Sequence, residues 1–228
     1  MKKAVIVIDH GLFLFLQVLN DNQNTAILST AYFPPIEYFY LLQKFEYIVV
    51  EAEETYPKQT YRNRCIIYSE KGRLTLTAPV SKPFGKQTKT KDIEIFNEDR
   101  WQTNHWRAIF SAYQNSPYFL YYKDDLEIFF TKKANNLLTW NLEITETLCK
   151  LIGIKTKFEF SEEFVKTGSF ENDYRFDISP KIPALHQHFP NYIQVFSYRH
   201  GFIENLSIID LLFNLGPDTL NYLKKMGK

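Results

Sequence analysis

The sequence predicts an α/β fold, with a mixed α+β arrangement as the alternative within that class, and three observations carry this prediction. A strand, a helix and a second strand follow one another early in the chain, which is the opening of a βαβ unit with parallel strands. A β-hairpin pattern follows, so that we expect a mixed sheet, and helical periodicity dominates the later half. The chain has 228 residues, enough to form a hydrophobic core without disulfides or metal ions.

The βαβ pattern is the first element. Residues 25–31 are short, apolar and β-prone, and two prolines at 34 and 35 end the predicted strand in a loop. Ile36 to Phe45 has aromatic residues and leucines at helical spacing. Tyr47 to Glu51 is dense in β-branched and aromatic residues, which predicts the second strand.

The hairpin pattern is the second element. Arg64 to Ser69 and Arg73 to Pro79 predict two strands joined by a turn that contains Gly72. Ser81 to Lys91 is a basic segment whose lysines either steer a phosphate-bearing substrate or lie solvated in a mobile loop; they are Lys82, Lys86, Lys89 and Lys91. Asp92 to Phe96 alternates in polarity and predicts a further strand.

The later half is predicted to be mainly helical. A helix is predicted from Asp99 to about Asn115, where Ser116-Pro117 ends it, and a partly helical stretch follows from Tyr118 to Phe130. A long helix is predicted from Asn135 to Ile152 and is closed by Gly153. A strand is predicted from Lys157 to Phe160. Residues 161–195 contain three prolines and predict an irregular segment. Ser207 is predicted to open a last helix, with Asp210 as its capping-box partner.

The first 22 residues are predicted to lie outside the folded unit. We expect them to be an N-terminal extension or the product of a misassigned start codon, and residues 23–228 to form a single domain. Asp9 and His10 interrupt the early apolar run, and no Ala-x-Ala site follows, so the pattern favours neither a signal peptide nor a transmembrane segment. The cysteines Cys65 and Cys149 lie far apart, which is typical of reduced thiols in the cytosol.

Composition and motif searches exclude several classes of function. The net charge is +1, with 27 basic and 26 acidic residues, whereas a dedicated nucleic-acid binder usually has a strongly basic balance. The five histidines and two cysteines fit no metal-ligand spacing. There is no Walker motif, GxGxxG, GxSxG or HExxH. No motif therefore identifies a metal or a cofactor, and nothing in the sequence fixes the oligomeric state.

Arg62-Asn63-Arg64 is the best candidate for an anion site. In a strand, Arg62 and Arg64 would project to one face and Asn63 to the other. Two guanidinium groups on one face suit phosphate or carboxylate recognition. The alternative is a pair of solvated arginines, or an Arg64 bound to a structural carboxylate.

His105 is the best acid–base candidate. It lies one helical turn after Trp101, and imidazole titrates near neutral pH. The alternative is a helix histidine that is hydrogen-bonded inside the core. Tyr32 follows the first strand, at the carboxyl end where α/β folds place ligands, or it belongs to a rigid aromatic-proline turn. Aromatic residues make up 17% of the chain, and they fill either the core or a pocket wall.

A set of short motifs, in this order, resembles the WbqC-like protein family over about residues 26–216. The motifs are Thr30–Pro35, Asn63-Arg64, Leu74–Val80, Trp101 with His105, Tyr113–Phe119 and Gly201–Gly216. Gly201 to Asn214 is similar to the branch of the family common in Bacteroidetes-type bacteria. Many relatives carry Gln-Pro-Tyr-Phe-Pro where this chain has Thr30-Ala31-Tyr32-Phe33-Pro34, a departure at the first two positions.

The resemblance implies a transferase in bacterial surface-polysaccharide (O-antigen) biosynthesis, with glycyl or aminoacyl transfer to a sugar as the specific reaction. Its substrate would be a nucleotide- or lipid-linked sugar. His105 would act as general base, and Asn63 and Arg64 would bind an anionic donor or acceptor. Tyr32, Trp101 and Tyr113 would stack on a sugar or nucleobase. The alternative is a non-catalytic scaffold or partner protein in envelope assembly, with an interaction helix within Gly201 to Phe213.

Overall fold

The computed structural model describes residues 23–98 and 100–227. The predicted extension at residues 1–22 lies outside this part of the chain, and the single domain over residues 23–228 stays a prediction. The strands are β1 Thr25–Ser29, β2 Tyr47–Glu51, β3 Arg64–Ser69, β4 Gly72–Thr77, β5 Val80–Ser81, β6 Glu94–Ile95 and β7 Lys157–Phe160. The helices are α1 Ile36–Lys44, α2 Trp101–Tyr113, α3 Phe119–Thr131, α4 Leu137–Ile152, α5 Ser197–His200, α6 Ile208–Leu215 and α7 Thr219–Lys225.

A three-stranded parallel sheet in the order β1-β2-β7 forms the centre of the fold. Ile27 lies opposite Val49, and Val49 lies opposite Glu159. The residues of β1 are all buried, because both faces of a parallel sheet are usually covered. The predicted βαβ opening is therefore confirmed, and the α/β class with it. The predicted mixed sheet is wrong, because in the described residues the antiparallel strands β3 to β6 pair in two separate two-stranded sheets.

The predicted hairpin is also confirmed. Strands β3 and β4 pair antiparallel from Arg64–Thr77 to Ser69–Gly72. Gly72 has a φ of 91°, a left-handed conformation that glycine adopts at little cost. The predicted strand at Asp92 to Phe96 is shorter than expected, since only Glu94 and Ile95 pair with β5.

Helices α2, α3 and α4 begin and end close to the predicted positions. Pro117 lies between α2 and α3, where its missing N–H and its ring break the helix. The Asn136 side chain accepts a hydrogen bond from the Thr139 amide at the start of α4. Gly153 ends α4 in the left-handed conformation. Local rules of helix termination thus account for these three boundaries.

Helix α6 is buried in the core, and this corrects two predictions. The Ser207 hydroxyl donates to the Phe33 carbonyl instead of capping the helix. Asp210 is no capping partner, since its carboxylate accepts hydrogen bonds from Tyr192 and Gln194. Residues 208–213 are almost completely inaccessible to solvent, so they cannot form the exposed interaction helix of the scaffold alternative. Helix α7 follows α6 and was not predicted from the sequence.

The segment 161–195 has no helix or strand, as predicted, and a buried charge network fastens it to the sheet. We call this set Glu51, Asp173 and Arg175 the Arg175 network. The guanidinium of Arg175 binds Glu51 at 2.7 Å and Asp173 at 2.6 Å, and its side chain is fully buried. Glu51 also accepts hydrogen bonds from the Ser161 hydroxyl and the Val165 amide. In the described residues, no helix is long and apolar enough to cross a membrane.

Candidate functional site

The candidate site lies beyond the carboxyl ends of β1 and β2. The chain leaves β1 through Thr30 to Phe33 and leaves β2 through a loop that reaches β3. The Tyr32 amide donates to the Tyr61 carbonyl at 2.8 Å, so the two loops are joined directly. The carboxyl ends of parallel strands are where open α/β sheets usually bind ligands.

Four aromatic rings meet at this edge, and we call them the aromatic box: Tyr32, Trp101, His105 and Trp140. Trp101 and His105 share one face of α2, with their ring centroids 5.1 Å apart. Trp140 projects from α4, and its ring centroid lies 5.2 Å from that of Tyr32 and 5.4 Å from that of Trp101. All four residues are buried. The structure therefore brings together three of the candidate residues from sequence, Tyr32, Trp101 and His105.

A short hydrogen bond joins Tyr32 and His105. The Tyr32 hydroxyl lies 2.8 Å from His105 Nδ1. Burial lowers the pKa of His105 to about 4, although a hydrogen bond to the Thr77 backbone opposes the shift. The ring is therefore neutral at pH 7. We assign its proton to Nε2, donating to the Thr77 carbonyl, so that Nδ1 accepts from the Tyr32 hydroxyl.

Trp101 carries a polar atom that no described residue satisfies. Its indole nitrogen Nε1 is inaccessible to solvent and has no hydrogen-bond partner in the described part of the chain. Indole N–H is a donor only, and buried donors in proteins nearly always have an acceptor. Trp101 is therefore suited to donate to a ligand atom that reaches the aromatic box.

Arg64 lies next to the aromatic box through one strand pair. It sits opposite Thr77 in the hairpin, and His105 is hydrogen-bonded to the backbone of the same Thr77. Residues opposite each other in an antiparallel pair have Cα atoms about 5 Å apart. Arg64 Nε is inaccessible to solvent and has no acceptor, and the side chain forms no ion pair with any described residue. Arg64 is thus a positive charge without a described carboxylate partner, and it lies opposite the Thr77 whose backbone binds His105.

Arg62 differs from the prediction that placed it on a strand face with Arg64. It precedes β3 and is buried, and its guanidinium binds Glu54 through two hydrogen bonds of 2.7 and 2.8 Å. The structural-carboxylate alternative therefore applies to Arg62 rather than to Arg64. The predicted face with two arginines is wrong, because the chain still turns at this point and β3 begins only at Arg64.

Asn63 and Tyr113 have other partners. The Asn63 amide nitrogen donates to the Ala78 carbonyl at 2.8 Å, which ties the start of β3 to the end of β4. Tyr113 lies eight residues after His105 on α2, about 12 Å along the helix axis. The Tyr113 hydroxyl accepts from the Tyr68 amide. Asn63 therefore positions Arg64, and Tyr113 lies apart from the aromatic box.

Most lysines of the basic segment bind other residues of the protein. Lys89 and Lys91 each bind Glu53 at 2.6 Å. Lys82 donates to the Tyr56 carbonyl at 3.2 Å and lies 4.7 Å from the centre of the Tyr56 ring. Tyr56 lies in the loop after β2 and was not predicted as a site residue, because no sequence motif includes it.

Asp210 is a buried ionisable carboxylate, a property that was not predicted from the sequence. Asp210 lies in the core beneath Tyr113 and accepts from the Tyr192 hydroxyl at 2.5 Å. Burial raises the pKa of Asp210 to about 6, although hydrogen bonds from its neighbours oppose the shift. The described residues contain no group of three or more potential ligands that could hold a metal ion. Cys65 and Cys149 are free thiols in the core.

Most of the site residues lie in a part of the chain that matches a known protein family. The sequence pattern of the WbqC-like protein family matches residues 30–186, which contain the aromatic box and Arg64. "Uncharacterized protein Rv1507c" of Mycobacterium tuberculosis is 25% identical over 230 residues, covering 89% of this chain and 98% of that protein. No solved structure is significantly similar to the chain.

Proposed function

The chain belongs to the WbqC-like protein family, and we propose that it is a transferase in bacterial surface-polysaccharide (O-antigen) biosynthesis. The reaction is transfer of a glycyl or other aminoacyl group from an activated donor to a nucleotide- or lipid-linked sugar. One observation carries the proposal: Arg64, a cation without a partner among the described residues, lies opposite Thr77, whose backbone is hydrogen-bonded to His105 of the Tyr32–His105 pair. An anion anchor next to a proton-accepting pair is what acyl transfer requires.

Arg64 binds the anionic group of the donor or of the sugar, and Asn63 holds the strand that carries Arg64. The Trp101 N–H donates to the bound ligand. These roles follow from the free guanidinium Nε, the free indole Nε1 and the committed Asn63 amide. Tyr113 binds no substrate in this proposal, because its hydroxyl is engaged with the Tyr68 amide.

The Tyr32–His105 pair moves the proton. The acceptor hydroxyl or amine attacks the carbonyl carbon of an aminoacyl thioester or acyl phosphate and gives its proton to the Tyr32 oxygen. The Tyr32 proton passes to His105 Nδ1, 2.8 Å away. The new acyl bond forms, the bond to the leaving group breaks, and the leaving group takes the bonding electrons. The Nδ1 proton of the imidazolium then returns through the Tyr32 hydroxyl to the leaving group, and the pKa of His105, lowered to about 4, favours this return.

The scaffold alternative retains one supporting feature. Leu120 and Tyr121 on α3 are 71% and 76% exposed, and neighbouring large apolar side chains on a surface are typical of interaction sites. The two functions differ in what they require of Arg64 and His105. A transferase requires both Arg64 and His105 for its activity. A scaffold protein binds and converts no small molecule, so it requires neither residue for that purpose.

The experiment combines binding with product detection. Melting temperatures of the wild-type protein are measured with nucleotide sugars, acyl-CoA species, glycine and activated glycyl donors, since a ligand that binds only the folded state raises the melting temperature. Mixtures of donors and sugars are then analysed by mass spectrometry for an aminoacylated sugar. The variants are His105→Gln, Arg64→Met and the control Arg107→Met, an exposed residue on α2.

We expect binding and product with the wild-type protein and with Arg107→Met. Arg64→Met should lose binding of the anionic ligand, and His105→Gln should bind it without forming product. Product formation by His105→Gln at the wild-type rate would contradict the role of the pair. A protein that binds none of the panel, with Arg64→Met and wild type indistinguishable throughout, would favour the scaffold function.

A further inference from the structure

The loops beyond β2 carry more positive charge than their carboxylates neutralise. Arg62 is matched by Glu54, and Lys89 and Lys91 are both matched by Glu53. Four further cations in this region have no carboxylate partner among the described residues, and they are Lys58, Arg64, Lys82 and the exposed Lys86. The charges of Lys58, Arg64 and Lys82 act on Tyr56 or on one another, and we call these three the cation cluster.

Two members of the cation cluster lie near Tyr56, and the third lies near one of them. Lys82 Nζ lies over the Tyr56 ring, 4.7 Å from the ring centre. Burial, together with the nearby charge of Lys58, lowers the pKa of Lys82. The positive charge of Arg64 also acts on the Tyr56 hydroxyl.

The hydroxyl of Tyr56 has no partner. The residue is 5% exposed, and its oxygen is inaccessible to solvent with no hydrogen bond to any described residue. Burial raises the pKa of Tyr56, with the charges of Arg62 and Arg64 opposing the shift. A neutral tyrosine hydroxyl near cations is a donor suited to an anionic oxygen. Tyr56 and Arg64 thus each carry a buried donor without a partner among the described residues.

We propose that the cation cluster and the Tyr56 hydroxyl bind a diphosphate group. This inference rests on the proposed function and names the anionic part of its substrate. A carboxylate carries one charge and would neutralise Arg64 alone. A diphosphate carries two or more charges on several acceptor oxygens, which matches three cations and a hydroxyl donor. Arg64 lies opposite Thr77, whose backbone binds His105, so the attached sugar would extend from Arg64 toward His105.

Diphosphate is the shared chemistry of two kinds of sugar carrier. In a nucleotide-linked sugar it joins the sugar to a nucleoside, and in a lipid-linked sugar it joins the sugar to a prenyl chain. The cation cluster recognises the part that both carriers have in common. Uridine diphosphate and farnesyl diphosphate are probes that distinguish the two, because each carries only one of the two attached groups.

The experiment is calorimetric titration of the full chain with inorganic pyrophosphate, inorganic phosphate, uridine diphosphate and farnesyl diphosphate. Lys58→Met and Lys82→Met remove one charge each, and Lys86→Met, an exposed lysine in the same basic segment, is the matched control. We expect pyrophosphate to bind more tightly than phosphate. Lys58→Met and Lys82→Met should each weaken pyrophosphate binding by about tenfold, equal to about 1.4 kcal/mol, while Lys86→Met leaves it unchanged.

Tighter binding of uridine diphosphate supports a nucleotide-linked substrate, and tighter binding of farnesyl diphosphate supports a lipid-linked one. The inference is overturned if pyrophosphate does not bind, or if Lys86→Met weakens it as much as Lys58→Met and Lys82→Met do. Each variant is melted first, so that a folding defect is recognised. If the ligand that depends on Arg64 contains no diphosphate, the diphosphate inference is overturned but the proposed transferase function is not. If diphosphate binds but no transfer product forms, the transferase function is overturned but the diphosphate inference is not.

Discussion

The Arg175 network and the cation cluster both contain charged side chains near the carboxyl edge of the sheet, but only the first is complete. Arg175 is fully buried, with both of its carboxylate partners within 2.7 Å. Arg64 is half-buried, and no described carboxylate binds it. Burying a charge is costly unless it is paired and hydrogen-bonded. The comparison indicates that the Arg175 network holds the fold, whereas the cation cluster lacks carboxylate partners in the described residues, which is why we propose that it binds a ligand.

The largest expected effect comes from opening the Arg175 network. Arg175→Met leaves two buried or partly buried carboxylates, Glu51 and Asp173, without their cation. Breaking a buried pair on one side costs about 3–5 kcal/mol, so we expect a loss of that size in the free energy of unfolding, measured by urea denaturation. The control Arg107→Met should stay within about 0.5 kcal/mol. A loss below about 1 kcal/mol for Arg175→Met would show that segment 161–195 is held by other contacts.

The next effect is the pH dependence of the free energy of unfolding, to which two buried ionisable groups, His105 and Asp210, contribute with opposite sign. His105 has a pKa lowered to about 4, so between pH 6.5 and 4 the unfolded state binds a proton that the folded state does not. Stability contributed by neutral His105 is present above pH 6.5 and falls as pH falls, by about 3 kcal/mol in total. Asp210 has a pKa raised to about 6. Its contribution is present below pH 3.8 and is lost as pH rises to 6, also by about 3 kcal/mol.

The two groups therefore oppose each other over nearly the same pH range. We expect His105→Gln to be relatively more stable at pH 4 than at pH 7, and Asp210→Asn to show the opposite trend, each compared with wild type. The measurement is the free energy of unfolding at pH 4, 5, 6 and 7. Asp218→Asn, an exposed aspartate, is the control. Parallel pH profiles for all four proteins would contradict the assigned burial of both groups.

Most of the fold was predictable, because its signals are local. The βαβ opening, the hairpin turn at Gly72 and the helix ends at Pro117 and Gly153 follow from residues next to each boundary. The Ser207–Asp210 capping box was also a local signal, and it failed. Tyr192 and Gln194 compete for the Asp210 carboxylate, and their approach depends on a long irregular segment that no periodicity describes.

The candidate site was only partly predictable, because its parts converge from distant places. Tyr32, Arg64, Trp101 and His105 were all named from sequence, and the hairpin and α2 bring them to neighbouring positions. The separate places of Arg62 and Tyr113 were not foreseen, since one depends on where β3 begins and the other on the length of α2. Tyr56 carries no motif, and only its buried hydroxyl without a partner identifies it.

A smaller effect tests whether Arg64 is dispensable for folding. Arg64→Met removes a charge without a described partner, so we expect the free energy of unfolding to change by no more than about 1 kcal/mol. Arg62→Met leaves Glu54 buried and unpaired and should cost about 3–5 kcal/mol. Both are measured by urea denaturation at pH 7. If Arg64→Met were as destabilising as Arg62→Met, Arg64 would be a structural residue and the contrast between matched and unmatched cations would not hold.

The smallest effect shows that a partner alone does not make a charge structural. Lys89 binds Glu53 at 2.6 Å, but its side chain is 48% exposed, and exposed ion pairs contribute from 0 to about 1 kcal/mol because water and salt screen them. Glu53 also keeps Lys91 as a second partner. We therefore expect Lys89→Met to match the control Lys86→Met within about 0.5 kcal/mol in urea denaturation. A loss near that of Arg175→Met would mean that pairing, and not burial, determines which cations hold the fold.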